Sequence, residues 1–349
     1  MGDGKELLLE TLGLTTRVET DTGPIRPVND VTLRVHAGET LAVVGESGSG
    51  KSMLAFSLVR LLPQSGRIER GSIRWKGQDL LAMSNEQIRR VRGKQIALVF
   101  QESGAALNPV RTVGDQIAES LRAHLPLSRR AARDRAVELL AEVRIPEPAE
   151  RAKDYPHQLS GGMKQRVLIA MAIACDPELV IADEPTTALD ATLQARILEL
   201  LARLKAERRL SLILITHDLG LVRENADRVA VMYAGRVVEQ GRSSSILGDP
   251  RHPYTRGLWQ SLPGSRGGAP GKAKLAAMAG MVPHLAALPP GCAFSPRCPV
   301  RFEPCDLAVP TLQAVAGSGD RSHQSACYHE PAVLQAQRVG GSAESRAVV

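Results

Sequence analysis

The octapeptide Gly45-Glu46-Ser47-Gly48-Ser49-Gly50-Lys51-Ser52 constrains this chain more than any other stretch. It fits the pattern G-x-x-x-x-G-K-[ST]. Its flanks are the ones the pattern requires: the apolar run Glu39–Val44 reads as a buried strand, and Lys51–Leu62 reads as a helix stopped by Pro63. A strand entering such a loop and a helix leaving it commit the chain to a covered α/β sheet. Glycines let backbone N–H groups approach an anion with no Cβ in the way, and the helix start points its positive dipole end at the same place. Gly45–Ser52 is therefore a phosphate cradle. Lys51 supplies a point charge for β- and γ-phosphates, and Ser52 offers a hydroxyl to Mg²⁺.

The rest of the chain alternates strands and helices around that loop. Leu7–Val18 and Val31–Val35 carry partly alternating apolar residues, as in an N-terminal antiparallel β subdomain, and Ser72–Trp75 and Ile96–Phe100 read as further strands. Helical spacing follows in Val113–Leu121, Ser128–Val143 and Gly162–Cys175. Strand-like Leu179–Ala182, helical Leu193–Leu204, strand-like Leu212–Thr216 and helical Leu219–Asn225 come next. The pattern predicts a mainly parallel sheet over 1–101 and 176–241, interrupted by a helical lobe at 102–175. After Gly241 the composition shifts to a C-terminal extension, 242–337, that holds four of the five cysteines. Within it, Pro263–Lys274 reads as a flexible link, and 338–349 as a disordered tail.

Composition bounds the partners. Lys+Arg 44 against Asp+Glu 37 gives a net charge of +7, with the basic residues spread along the chain. That balance suits an anionic partner, or simply a mildly basic surface. Aromatic residues are only 3%, too few for a stacking platform on single-stranded nucleic acid. Met1–Glu6 is polar and Leu7–Leu9 is short, so no leader is expected. The apolar stretch Val167–Cys175 falls far below the ~18 residues a membrane span needs. A cytoplasmic chain is expected, reaching any membrane through partner subunits.

Three further sites carry chemistry. Leu179–Ala182 ends on Asp183-Glu184, where Asp183 suits a Mg²⁺ shell and Glu184 could polarise a water as general base. Taken alone, such a pair is more often a helix N-cap and first-turn charge; beside the loop at Gly45 the chemical reading is the better one. Leu159-Ser160-Gly161-Gly162-Met163 opens a helix with a serine and two glycines, either a second anion-reading terminus or a plain Ser160 cap. His217 stands at the end of the strand-like Leu212–Thr216.

At Leu159–Met163 the sequence resembles the ATP-binding-cassette transporter ATPases, whose signature reads LSGGQ, with Met163 in place of the glutamine. The resemblance covers nearly the whole chain. Gln101, in Val-Phe-Gln-Glu, fits the family's Q-loop; Ala188-Leu189-Asp190 fits the D-loop; His217 fits the switch histidine. The resemblance implies a P-loop NTPase core that binds ATP on Gly45–Ser52, with Ser52, Gln101 and Asp183 around Mg²⁺ and with Glu184, His217 and Gln101 in hydrolysis. It also implies two cassettes closing head to tail, each ATP lying between one chain's loop and the partner's Ser160, Gly161 and Gly162. One position departs from the family: the residue expected to stack on adenine falls near Val18, which cannot stack.

The C-terminal region narrows the expectation. Arg251–Leu258 resembles the start of the extension in ATPases of oligopeptide, dipeptide and nickel importers, and Leu107-Asn108-Pro109 looks like the same branch. That implies an ATPase peripheral to the cytoplasmic face of the inner membrane. Its partners would be two permease subunits, a second cassette ATPase (a heterodimer, or a homodimer) and, indirectly, an extracytoplasmic binding protein. Cys292, Cys298, Cys305 and Cys327 form C-x5-C-x6-C-x21-C, open to zinc, an iron–sulfur cluster or free thiols. Gly291–Pro299 resembles the cysteine motif of the peptide-importer branch, some members of which carry a [4Fe–4S] cluster, and such a cluster is expected here. Cys175 reads as core. Rival readings keep the motor and change the cargo to nickel chelates, glutathione or other small solutes. Another makes the chain a soluble cassette acting on nucleic acid, supported only by the pI of 9.4 and opposed by the single phosphate loop. A cassette without turnover is opposed by Glu184 and His217. No nucleic-acid partner is expected.

Overall fold

The computed structural model describes residues 5–101, 103–187, 189–261, 278 and 280–330. The chain is shared by two compact units: Met1–Glu10, Arg34–Thr40 and Ile73–Ile215 form the first, and Thr11–Leu33, Leu41–Ser72 and Thr216–Val349 the second. Pro263–Lys274, the tail 338–349 and Ala188 lie outside the described residues.

The first unit is built on three parallel strands. Ile96–Val99 pairs with Leu179–Asp183, which pairs in turn with Ser211–Thr216 up to Ile215. All three are apolar runs buried on both faces, which is why they show no alternation in sequence. Helices Val113–His124, Arg129–Glu142 and Gly161–Ile173 pack against one another in the segment expected to be helical. Each starts on a side chain that accepts from a first-turn N–H: Thr112 from Asp115, Ser128 from Ala131, Ser160 from Met163. Such caps stabilise a helix by about 1 kcal/mol each.

In the second unit, Thr40–Val44 runs parallel to Arg228–Tyr233, with Leu41 opposite Arg228 and Val44 opposite Val231. The sheet continues antiparallel through Arg236–Arg242, Gln324–Ser325 and Gln313–Ala314. A separate four-stranded sheet takes the order Ile25–His36, Leu7–Val18, Gly66–Trp75, Gln78–Asp79. Leu7–Val18 and Leu219–Asn225 fall where the periodicity put them. The helix after the phosphate loop is shorter than its pattern: it ends at Leu58, and Arg60 takes a left-handed φ of 55° before Pro63 is reached. Among the described residues no helix is long and apolar enough to cross a membrane.

The C-terminal extension shares its core with this sheet. Tyr254 and Phe294 pack with Val44, Val231, Tyr233 and Val238 in one buried cluster. Glu239, fully buried, fastens the join: it accepts from the N–H groups of Arg251 and His252 at 2.7 and 2.9 Å and meets His323 Nε2 at 2.8 Å. His252 Nδ1 accepts from the Tyr254 N–H at 3.1 Å, so the ring is held as a neutral cap. Burial pushes its pKa down from 6.5 to about 4, against the pull of Glu239. Because the unfolded chain then binds more protons than the fold, this stability is complete above pH 6.5 and drains away as pH falls towards 4. The loss amounts to about 3 kcal/mol from this one group. Chemical denaturation at pH 7.5, 5.5 and 4.5 should show that slope in the parent and a flatter one in His252→Asn. Equal slopes would show that the ring does not titrate this way.

Candidate functional site

The phosphate loop lies entirely in the second unit, between the strand Thr40–Val44 and the helix Lys51–Leu58. Its glycines are required by close approach. A Cβ on Gly45 would sit 2.2 Å from the Met232 carbonyl oxygen, and one on Gly50 would sit 1.8 Å from that of Pro27. The helix has no side-chain cap and no acidic residue in its first turn, so its leading N–H groups face an anion site unopposed. Lys51 Nζ donates to the carbonyls of Gly45 at 2.8 Å and Glu46 at 3.0 Å, which folds the ammonium back over the loop. Ser49 Oγ is buried in the same loop with no protein partner. An oxyanion would satisfy the helix N–H groups and the lysine together.

Of the candidate hydrolytic residues, Gln101 and Glu184 lie in the first unit, with Asp183 beside Glu184 in sequence. Asp183, 1% exposed, ends the strand Leu179–Asp183. Glu184 follows at a left-handed φ of 45°, while its N–H still bonds to the Ile215 carbonyl at 3.0 Å. A non-glycine residue held there stores about 1–3 kcal/mol of strain. Two groups converge on its carboxylate: Gln101 Nε2 donates to Oε2 at 2.9 Å and Thr187 Oγ1 donates to the same oxygen at 2.7 Å. Sequence reasoning missed Thr187, although its i+3 spacing from an acid at a strand end was a usable signal.

The signature and D-loop residues also belong to the first unit, and they touch. A Cβ on Gly161 would meet Leu189 Cδ2 at 3.6 Å, and one on Gly162 would meet Leu193 Cδ2 at 3.3 Å. Asp190 caps the helix Ala191–Arg208 by accepting from the Leu193 N–H at 2.9 Å. Ser160 and Gly161 are exposed at the start of a thirteen-residue helix with no acid in its first turn. His217 is exposed in the second unit, just after the strand Ser211–Thr216. Val18 is 8% exposed, a strand residue turned into the core and offering no face to a base.

Cys292, Cys298, Cys305 and Cys327 line one small cavity with Phe294, Pro310 and Tyr328. All are free thiols, and Cys292 N–H donates to the Cys305 carbonyl at 2.7 Å. Burial raises the thiol of Cys292 to about 11 and that of Cys327 to about 12, with mutual repulsion of the ionised sulfurs adding to it. Among the described residues no three His, Cys, Asp or Glu side chains stand close enough to share a single metal ion.

Comparison with known proteins adds to the geometry. Residues 28–187 match the family model described as ABC transporter, and 238–305 match that of the oligopeptide/dipeptide transporter C-terminal region. A peptide import ATP-binding protein of Brucella melitensis is 50% identical over 332 residues, 93% of this chain and 97% of its own. One from Brucella abortus is 48% identical over 314 residues, 90% of this chain and 94% of its own. Among solved structures, the dimeric ATP-binding cassette MJ0796 bound to ADP and Pi in a post-hydrolysis state matches with a TM-score of 0.61. It is 27% identical, over 68% of this chain and 99% of that one. The cbiO1 protein of Clostridium perfringens, part of a cbiONQ transporter complex, matches with a TM-score of 0.60 at 26% identity, over 70% and 92%.

Proposed function

Since the chain belongs to the ATP-binding-cassette transporter ATPases, we propose that it hydrolyses ATP to energise the uptake of oligopeptides or dipeptides across the cytoplasmic membrane. The hydrolytic reading is carried by Glu184, whose carboxylate is oriented by Gln101 and Thr187 at the end of a buried strand. With Lys51, Ser49 and the loop N–H groups holding the β- and γ-phosphates, Glu184 takes a proton from the attacking water. In this reading His217 would contact the γ-phosphate, and Asp183, Ser52 and Gln101 would each offer an oxygen of the kind a hard cation takes. Mg²⁺, if bound by these oxygens, would supply charge neutralisation on the phosphates.

The exposed Ser160–Gly161 terminus, packed beside Leu189, supports a shared site in which a second cassette's nucleotide is read by this chain. Its partners in this reading are two permeases and a second ATPase, at the cytoplasmic face of the membrane. Residues 1–241 form the cassette and 242–337 its importer extension. Peptide cargo rests on the match of 238–305 and on the Brucella relatives. Deleting the gene should abolish uptake of labelled di- or oligopeptides, restored by the parent and not by Lys51→Ala. Uptake of peptides left intact, with nickel or glutathione uptake lost, would move the cargo to the alternative.

That Cys292, Cys298, Cys305 and Cys327 line one cavity supports the reading that these four thiols would hold a [4Fe–4S] cluster. Such a cluster would supply a structural staple and a one-electron couple. Anaerobically purified protein should be brown, with about four irons per chain. Colourless, iron-free protein that folds and turns over ATP would remove the cluster.

A further inference from the structure

Glu46, the second residue of the phosphate loop, is gripped by the C-terminal region at both its backbone and its side chain. Its N–H donates to Tyr254 Oη at 2.9 Å. Its carboxylate accepts a forked pair from Arg297: Nη1 to Oε2 at 2.8 Å and Nη2 to Oε1 at 3.0 Å. Arg297 Nη1 also reaches Tyr233 Oη at 3.3 Å, and the guanidinium stands 5.8 Å from the Tyr233 ring centre and 5.9 Å from that of Phe294. Tyr233, Tyr254 and Phe294 pack on one another with centroids 4.6 to 5.5 Å apart, so the arginine sits on a stiff aromatic base. Its side chain is 6% exposed and that of Glu46 26%. A planar fork on a carboxylate fixes orientation as well as distance, which a lysine could not do.

The plainest reading is an ion pair that fastens the extension to the sheet. What lies at its other end makes it more. Glu46 follows Gly45, and the carbonyls of these two residues are the ones that receive the Lys51 ammonium. Gly45 itself is backed against the Met232 carbonyl, so the peptide around Glu46 is held from both sides. Tilting that peptide would move the lysine's acceptors and re-aim the N–H groups that follow.

We propose that Arg297 is a positioning residue for nucleotide binding. Acting through Glu46, it holds the Gly45–Ser52 backbone in its phosphate-ready shape, and it makes ATP affinity depend on the C-terminal segment. This rests on the reading of that loop as the ATP site.

The test uses the full chain with Arg297→Met, Arg297→Lys, Arg297→Glu, Glu46→Arg and the exchanged pair Glu46→Arg/Arg297→Glu. Nucleotide affinity is read with a fluorescent ATP analogue, alongside KM, kcat and thermal melting. If the loop without its brace is ready about one-tenth of the time, Arg297→Met raises Kd and KM about tenfold. Saturated kcat stays within about twofold, since Glu184 is untouched. Arg297→Lys falls between, and the exchanged pair binds better than either single reversal. Unchanged affinity in a natively melting Arg297→Met would overturn the proposal, as would an exchanged pair no better than its worse parent. Should Arg297→Met fail to fold, Arg297→Lys decides: parental affinity in that variant overturns the proposal too. Lys51→Ala separates the two failures. If it binds ATP normally, the loop is not the site; if it loses ATP while Arg297→Met does not, only the role of Arg297 falls.

Discussion

Replacing Glu184 by glutamine is expected to lower kcat for ATP hydrolysis by about 10² to 10⁴-fold while leaving nucleotide affinity within about threefold. Glutamine keeps the size of the side chain, and its carbonyl oxygen can still accept from Gln101 and Thr187, the donors that orient Glu184 at 2.9 and 2.7 Å. What it loses is the capacity to take a proton from water. Neither the phosphate loop nor Lys51 is altered, so binding survives and the nucleotide-bound state accumulates. Turnover and fluorescent-nucleotide titration on the same preparation separate the two effects. Hydrolysis at near the parental rate would assign the base elsewhere. Thr187→Val should reproduce a milder version, because it removes one of the two donors and leaves the carboxylate.

Gly50→Ala should cost nucleotide binding at least about 100-fold, whereas Gly48→Ala should cost about 30-fold at most. Both glycines have left-handed φ, 101° and 78°. The difference is what a methyl group would meet. At Gly48 there is nothing within 4 Å, so only the backbone preference is lost, about 1–2 kcal/mol. At Gly50 the new Cβ would lie 1.8 Å from the Pro27 carbonyl oxygen and 3.0 Å from its carbon. Neither atom belongs to a flexible side chain, so the loop must move, and with it the residue immediately before Lys51. Titration of the two folded variants with ATP checks the ranking. Parental binding by Gly50→Ala would mean that the loop takes another shape around nucleotide.

How far the sequence led depended on whether the deciding contacts were local. The phosphate loop was legible because its glycines, lysine and flanking strand and helix are contiguous, and the acidic pair was legible because it ends an apolar run. Arg236–Arg242 was not seen as a strand, and the reason is physical. Its centre holds Glu239 and Gln240, polar residues that read as surface yet are buried. Their partners are the N–H groups of Arg251 and His252 and the side chains of His323 and Gln324, most of them more than eighty residues away or contributed by backbone. The brace on Glu46 was hidden in the same way. Tyr254 and Arg297 lie 208 and 251 residues along the chain, and nothing local marks either as a neighbour of the loop. Near Val18 the sequence could say that an aromatic was missing; the fold adds that the side chain points inward.

The two short strands contributed by the extension have a consequence apart from ATP. Without them the sheet of the second unit would end on Arg236–Arg242, a seven-residue strand with a row of unpaired N–H and C=O groups. Gln324–Ser325 pairs with its middle, Ala326 N–H bonds to the Val238 carbonyl, and Gln313–Ala314 finishes the edge. Both covering strands are two residues long, too short to template another chain. The extension thus insulates the cassette against edge-to-edge aggregation, and a chain trimmed back to its catalytic part would expose the middle of that strand, which the extension covers.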